Sequence, residues 1–147
     1  MFSGSDRGFT LLELLVTLSL SGVLMGVALF NIKELDDPLK NSAALSASYL
    51  KQVRARAIST TSAYRIRPLS ENVIIAESAK NCSATSWTSD NSLKFNLPDG
   101  THLESVNWSV CISGRGMPEK ALQFQISDTA GNTRQVELFL AGAVRYQ

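Results

Sequence analysis

The chain has 147 residues, 44% of them hydrophobic and 18% charged, with a formal net charge of +1. That length and balance allow one compact domain plus a membrane segment. The apolar residues are unevenly spread, because residues 9–32 carry a single charge, Glu13.

Taken in chain order, residues 9–32 come first. At about 1.5 Å per helical residue the run reaches roughly 36 Å and spans a hydrocarbon core of about 30 Å. A secretory signal peptide has the same outline of basic start and apolar core. Here, however, the run is too long, and "GVALFNIKELDDP" offers a poor cleavage site at its far end. The small residue well placed for cleavage is Gly8, on the near side. A peptidase acting after Gly8 leaves the apolar helix on the mature protein, with Phe9 as its new amino terminus. A carboxylate in a membrane costs roughly 2.5 to 3.5 kcal/mol or more unless paired, which marks Glu13 as a functional residue. A bland alternative is an acid near the interface that snorkels to the headgroups. Gly22 and Gly26 are four apart, a weak signal for close helix packing.

"NIKELDDP" brings charge and Pro38, which is expected to bend or interrupt the helix. A helical period then resumes through Leu39, Ala43, Ala47, Leu50, Val53 and Ala57, a small-residue stripe suited to lying close against a sheet. From Thr60 the period changes to two. "AYRIRP" and "NVIIAE" read as strands, "LKFNLPDGTHLESV" as two strands around Pro98-Asp99-Gly100, and "SAKNCSATSWTSDNS" as a polar surface loop. "WSVCIS", "ALQFQIS" and "TRQVELFL" follow as further strands, the last two joined across "DTAGN". The fold class is α+β, a long N-terminal helix whose second half packs on an antiparallel sheet or sandwich-like domain.

The leader "MFSGSDRG" followed by "FTLLEL" resembles the class III signal of type IV prepilins and pseudopilins. The stretch "LSASYLKQVRARAISTTSAYRIRP", with "CISGRGMP" and the terminal "AGAVR", is similar to the GspH/FimT type of minor pilins and pseudopilins. The resemblance implies a pilin-like chain in four parts: a leader at 1–8, a transmembrane and filament-core helix at 9–32, its amphipathic continuation at 33–61, and an extracytoplasmic β-rich domain at 62–147. It implies cleavage between Gly8 and Phe9 by the prepilin peptidase, N-methylation of Phe9, and pairing of Glu13 with the terminal amine of a neighbouring subunit. The expected location is the bacterial inner membrane, single-pass, and then a pilus or pseudopilus. Family members often carry a proline within the apolar helix, whereas this chain has none between Phe9 and Asp37.

Cys82 and Cys111 are the only cysteines. In an extracytoplasmic domain two thiols most simply form one disulfide, closing a loop of about 30 residues and contributing roughly 3 kcal/mol, with free buried thiols as the alternative. With one histidine, His102, and no Cys-x-x-Cys spacing, neither a metal nor a cofactor is expected. His102 follows a turn and reads as a solvated or interface side chain, and "SGRG" lacks the context of a phosphate loop. No catalytic constellation assembles, so the chain is not read as an enzyme.

Charge is the remaining clue. Residues 39–147 hold 12 basic and 8 acidic side chains. Six arginines, Arg54, Arg56, Arg65, Arg67, Arg134 and Arg145, are candidates for non-specific contact with double-stranded DNA, Arg145 foremost because DNA-binding relatives end in Gly-Arg-x-Arg. Here Gly142-Ala143-Val144-Arg145 lacks the first arginine, and a solvated helix face explains the same charges. Three functions follow from the resemblance: a minor pilin that helps prime pilus assembly and contributes to DNA uptake, a DNA-receptor pilin for transformation, or a type II secretion pseudopilin.

Overall fold

The computed structural model describes residues 10–32 and 37–147, with side chains in the first segment described as far as Val23. The chain divides into two units, 1–36 and 37–147. In the first, helix α1 covers Leu11–Ile32. Thr10 stops the backbone short of the helix and its hydroxyl accepts from Glu13 N–H at 3.2 Å, the bond expected of an N-cap. The side chains from Leu11 to Val23 are all exposed, Leu11 at 78% and Val23 at 66%. Among the described residues, no helix is long and apolar enough to cross a membrane. The stretch 11–23 alone reaches about 20 Å, against about 30 Å of hydrocarbon.

The second unit opens with helix α2, Pro38–Thr60. Pro38 occupies its first turn, where a missing N–H costs nothing, and the Asp37 carboxylate accepts from Lys40 N–H at 2.9 Å. The proline thus begins a helix. At the other end Thr61 takes a left-handed φ of 52°, and Ser62 N–H returns to Ala57 O at 3.2 Å. All six residues of the small-residue stripe are buried, joined by Ser42, Ser46 and Tyr49. Alanines and serines on that face let the helix axis approach the sheets closely, and α2 packs on strands β1, β5, β7, β8 and β9.

Those strands form two antiparallel sheets. The first joins β1 (Ala63–Ser70), β2 (Val73–Ala79), β3 (Thr88–Ser89), β4 (Phe95–Asn96) and β6 (Val110–Ile112) in the order β3-β2-β1-β6, with β4 also on β2. The second runs β5-β7-β8-β9, from β5 (Thr101–Leu103), β7 (Leu122–Asp128), β8 (Thr133–Leu138) and β9 (Val144–Tyr146). The two strands expected around Pro98-Asp99-Gly100 therefore exist, but in different sheets: Phe95 pairs with Ile74, and Thr101 with Asp128. Gly100, at φ +82°, sits in the turn, and Thr101 N–H donates to Pro98 O at 3.2 Å. The stretch read as a surface loop is more structured than expected, containing β3 and a 3-10 turn at Asn91–Leu93.

The core is shared by α2 and both sheets. Leu50, Ile66, Ile74, Leu103, Ile112, Ile126 and Leu138 are each almost fully buried. β1 alternates strictly, Tyr64, Ile66 and Pro68 inward and Arg65 and Arg67 outward, which sets the outer face of the first sheet.

Candidate functional site

The expected cleavage pair, Gly8 and Phe9, lies outside the described residues. Glu13 lies within them, at the third position of α1. The stretch Thr10-Leu-Leu-Glu13 is a capping-box pattern, in which a hydroxyl caps the N3 amide and the N3 carboxylate returns to the N-cap amide. Only the first half forms. The Glu13 carboxylate makes no hydrogen bond or ion pair among the described residues, while its own N–H is capped by Thr10. The box was legible as a Thr three residues before a Glu, and it gives Thr10 a role that the sequence reading missed. Further along α1, Thr17, Ser19 and Ser21 donate their hydroxyls to the carbonyls of Leu14, Leu15 and Thr17. The helix therefore satisfies these three hydroxyls itself.

The six arginines do not converge. Arg134 approaches Asp37, before the first turn of α2, at 3.7 Å, whereas Arg54 lies 17 residues along the same helix, about 25 Å away at 1.5 Å per residue. Each arginine finds a local partner instead. Arg65 donates to Glu77 Oε2 at 3.0 and 2.6 Å. Arg67 reaches both oxygens of the same carboxylate, at 3.2 and 2.9 Å. The hydrogen bond from Arg67 is the main reason that the buried Glu77 carboxyl is held below the usual carboxylate range. Arg65 also lies 4.6 Å over the Trp87 ring. Arg145, the leading DNA candidate, is bound to Glu137 Oε2 at 3.1 and 2.7 Å across the β8–β9 ladder. Arg56 is 3.8 Å from Asp90.

Arg54 is a staple. Its Nε donates to Gly116 O at 2.9 Å and its Nη1 to Gly142 O at 3.0 Å, tying α2 to the turn after β6 and the turn before β9. Both glycines have positive φ, and a Cβ on Gly142 would lie 2.6 Å from Arg54 Cζ. A side chain there is strained by conformation and would displace the Arg54 guanidinium.

Cys82 and Cys111 are joined by a disulfide that pins the 80–87 segment to β6. Both sulfurs and a Glu119 oxygen lie within 4.8 Å of one another, but the sulfurs are bonded to each other and Glu119 Oε1 accepts from Cys111 N–H at 3.2 Å. His102 is half-buried and shares a hydrogen bond of 3.0 Å with Ser127 on the neighbouring strand. The "SGRG" turn spends its amides internally, Gly116 N–H on Ser113 O and Ser113 N–H on Met117 O.

A capped apolar helix, whose N3 acid has no partner among the described residues, thus precedes a second helix laid on two antiparallel sheets. Residues 4–29 match the family described as the prokaryotic N-terminal methylation motif. The chain is similar in structure to the minor pseudopilin EpsH from the type 2 secretion system of Vibrio cholerae, with a TM-score of 0.57 at 14% identity. That likeness covers 76% of this chain and 97% of the other. No curated protein matches the chain in sequence. The chain is thus pilin-like in both parts, with a prepilin methylation motif at its head and a GspH-type fold beyond it.

Proposed function

We propose that the chain is a structural subunit of a filament of the type IV class, specifically a minor pilin that enters the pilus and helps prime its assembly. The observation that carries the reading is Glu13: an acid at the head of an apolar helix, its backbone amide capped by Thr10 and its carboxylate unbonded within the described chain. In a filament the missing partner is the amine of a neighbouring Phe9, created by cleavage after Gly8 and then methylated. The partners are other pilins and the prepilin peptidase. Before assembly, residues 9–32 anchor the chain in the bacterial inner membrane as a single pass, with 37–147 extracytoplasmic. The self-satisfied hydroxyls of α1 support that location, because lipid supplies no hydrogen-bond partners. The disulfide supports an oxidising compartment.

The likeness to a minor pseudopilin favours a second reading, entry into a type II secretion pseudopilus, by the same chemistry at Glu13. The DNA readings gain no support here, since the arginines proposed for them are paired with Glu77, Glu137, Asp90, Asp37 and backbone carbonyls. The test is Glu13→Ala expressed in a cell that builds filaments, with quantification of the chain in membranes and in sheared filaments. We expect membrane insertion unchanged and incorporation reduced at least about tenfold, equivalent to about 1.4 kcal/mol. Wild-type incorporation would remove the docking role.

A further inference from the structure

The second sheet is left open along one short stretch. The β5–β7 ladder runs from Thr101 and Asp128 to Leu103 and Ile126, and ends with Glu104 N–H donating to Gln125 O at 3.1 Å. Peptide groups in an antiparallel strand point alternately to its two neighbours. Gln123, two residues before Gln125, therefore directs its N–H and C=O to the same side. β5 has turned away by then, and among the described residues no backbone hydrogen bond reaches Gln123 there. Its other neighbour, β8, remains paired as far as Leu122 and Leu138.

The first sheet opens onto the same space. β6 pairs with β1 only as far as Ile66, whereas β1 continues along β2 to Ser70. The two gaps border one groove of about 610 Å3, lined by Arg67, Pro68, Val106, Trp108, Lys120 and Gln123 among others. Trp108 stacks on Phe124 at 4.7 Å and gives the groove an aromatic wall, and Val106 is 40% exposed. Two cations line the groove and no carboxylate does. Lys120 makes no ion pair among the described residues.

Other edges nearby are closed. Pro118 bridges to Ile112 on the outer side of β6, and Leu103 N–H is taken by Glu71 O at 2.8 Å. Sheet proteins ordinarily block exposed strand edges in this way. An edge left open beside an aromatic wall and the unpaired Lys120 has the features of a strand-addition site. We propose that this groove binds an extended, acidic segment of a partner protein, which adds to β7 by pairing with Gln123 and places a carboxylate near Lys120. The inference rests on strand geometry and charge, and is independent of the filament reading.

The test uses the full chain in detergent micelles and the peptide acetyl-Asp-Thr-Val-Thr-Val-Asp-amide, with amide hydrogen exchange resolved at Gln123. Two backbone hydrogen bonds and a rim charge predict binding in the range of about 0.1 to 1 mM. We expect Gln123 exchange to be fast in the free protein and to slow at least about tenfold at saturation. Lys120→Glu, at an exposed rim position, should weaken binding at least about threefold, as should a peptide with lysine at both ends. A Gln123 amide that is already protected in the free protein, or that stays fast at about 10 mM peptide, would overturn the proposal. Equal binding of the lysine peptide would overturn the acidic assignment. Protection that grows with protein concentration alone would replace the partner segment with a second copy of this chain.

Discussion

At the scale of single residues, Glu77 and Arg54 show how charge that resembles a surface feature becomes internal structure. Glu77 is buried on the outer face of the first sheet and serves two arginines, both about a third exposed. Its pKa is lowered in the folded chain, first by the Arg67 hydrogen bond, so its contribution is complete above the unfolded carboxylate pKa of about 4.3 and is lost as pH falls through the folded value. Thermal stability should therefore fall on acidification below about pH 4. Asp90 and Asp128, held low chiefly by the Ser92 hydroxyl and the Asn132 side chain, add to the same acid limb. Glu77→Gln should cost about 1 to 2 kcal/mol at neutral pH and flatten part of that limb. A pH profile identical to that of the wild type would show that the triad does not contribute. Arg54→Ala should cost about 1 to 3 kcal/mol in urea denaturation, with little rescue by lysine, because an ammonium cannot reproduce the guanidinium fork that reaches Gly116 and Gly142. Gly142→Ala should destabilise by about 1 kcal/mol or more through its positive φ alone. The partner of Arg65 was hidden by a register shift: a hairpin centred on Glu71-Asn72 pairs Ser70 with Val73 and would set Ser78 opposite Arg65, and the irregularity between Pro68 and Ser70 brings Glu77 there instead. The partners of Arg54 were hidden too, because carbonyls 62 and 88 residues away leave no trace in residue type.

At the scale of elements, the helices were legible because their signals are local. Pro38 behind Asp37, and small residues three and four apart, specify both the start of α2 and its buried face. The β1–β2 and β7–β8 hairpins were equally readable, from alternation and turn residues. What the sequence hid was which strand belongs to which sheet. A proline-glycine turn between two short strands looks the same whether the strands pair or cross between layers, and only the distant partners β2 and β7 decide it. Two-residue strands such as β3 have no period to detect. The disulfide acts at this scale, since it fastens the 80–87 segment to β6 across a separation of 29 residues. Reduction, or Cys82→Ser with Cys111→Ser, should lower stability by roughly 3 kcal/mol in chemical denaturation under matched conditions. An unchanged midpoint would mean that the segment is held by its other contacts, among them Trp87 beneath Arg65.

For the whole molecule, the N-terminal motif and the folded unit are proposed to serve one purpose, entry into a filament. The motif carries an acid that lacks a partner within the described chain, and the unit 37–147 holds its own core. The methylation motif at the head of the chain was legible, whereas the capping of Glu13 by Thr10 was read only from the structure. The surface chemistry was not legible, because paired and unpaired arginines are indistinguishable until the strand register is known. The central claim is that this chain matures as a prepilin, and the intact mass of the protein extracted from bacterial membranes tests it most directly. The account predicts a single species that lacks residues 1–8 and carries one methyl group on Phe9. A species that retains Met1, or one whose amino terminus lies beyond Ile32, would contradict it.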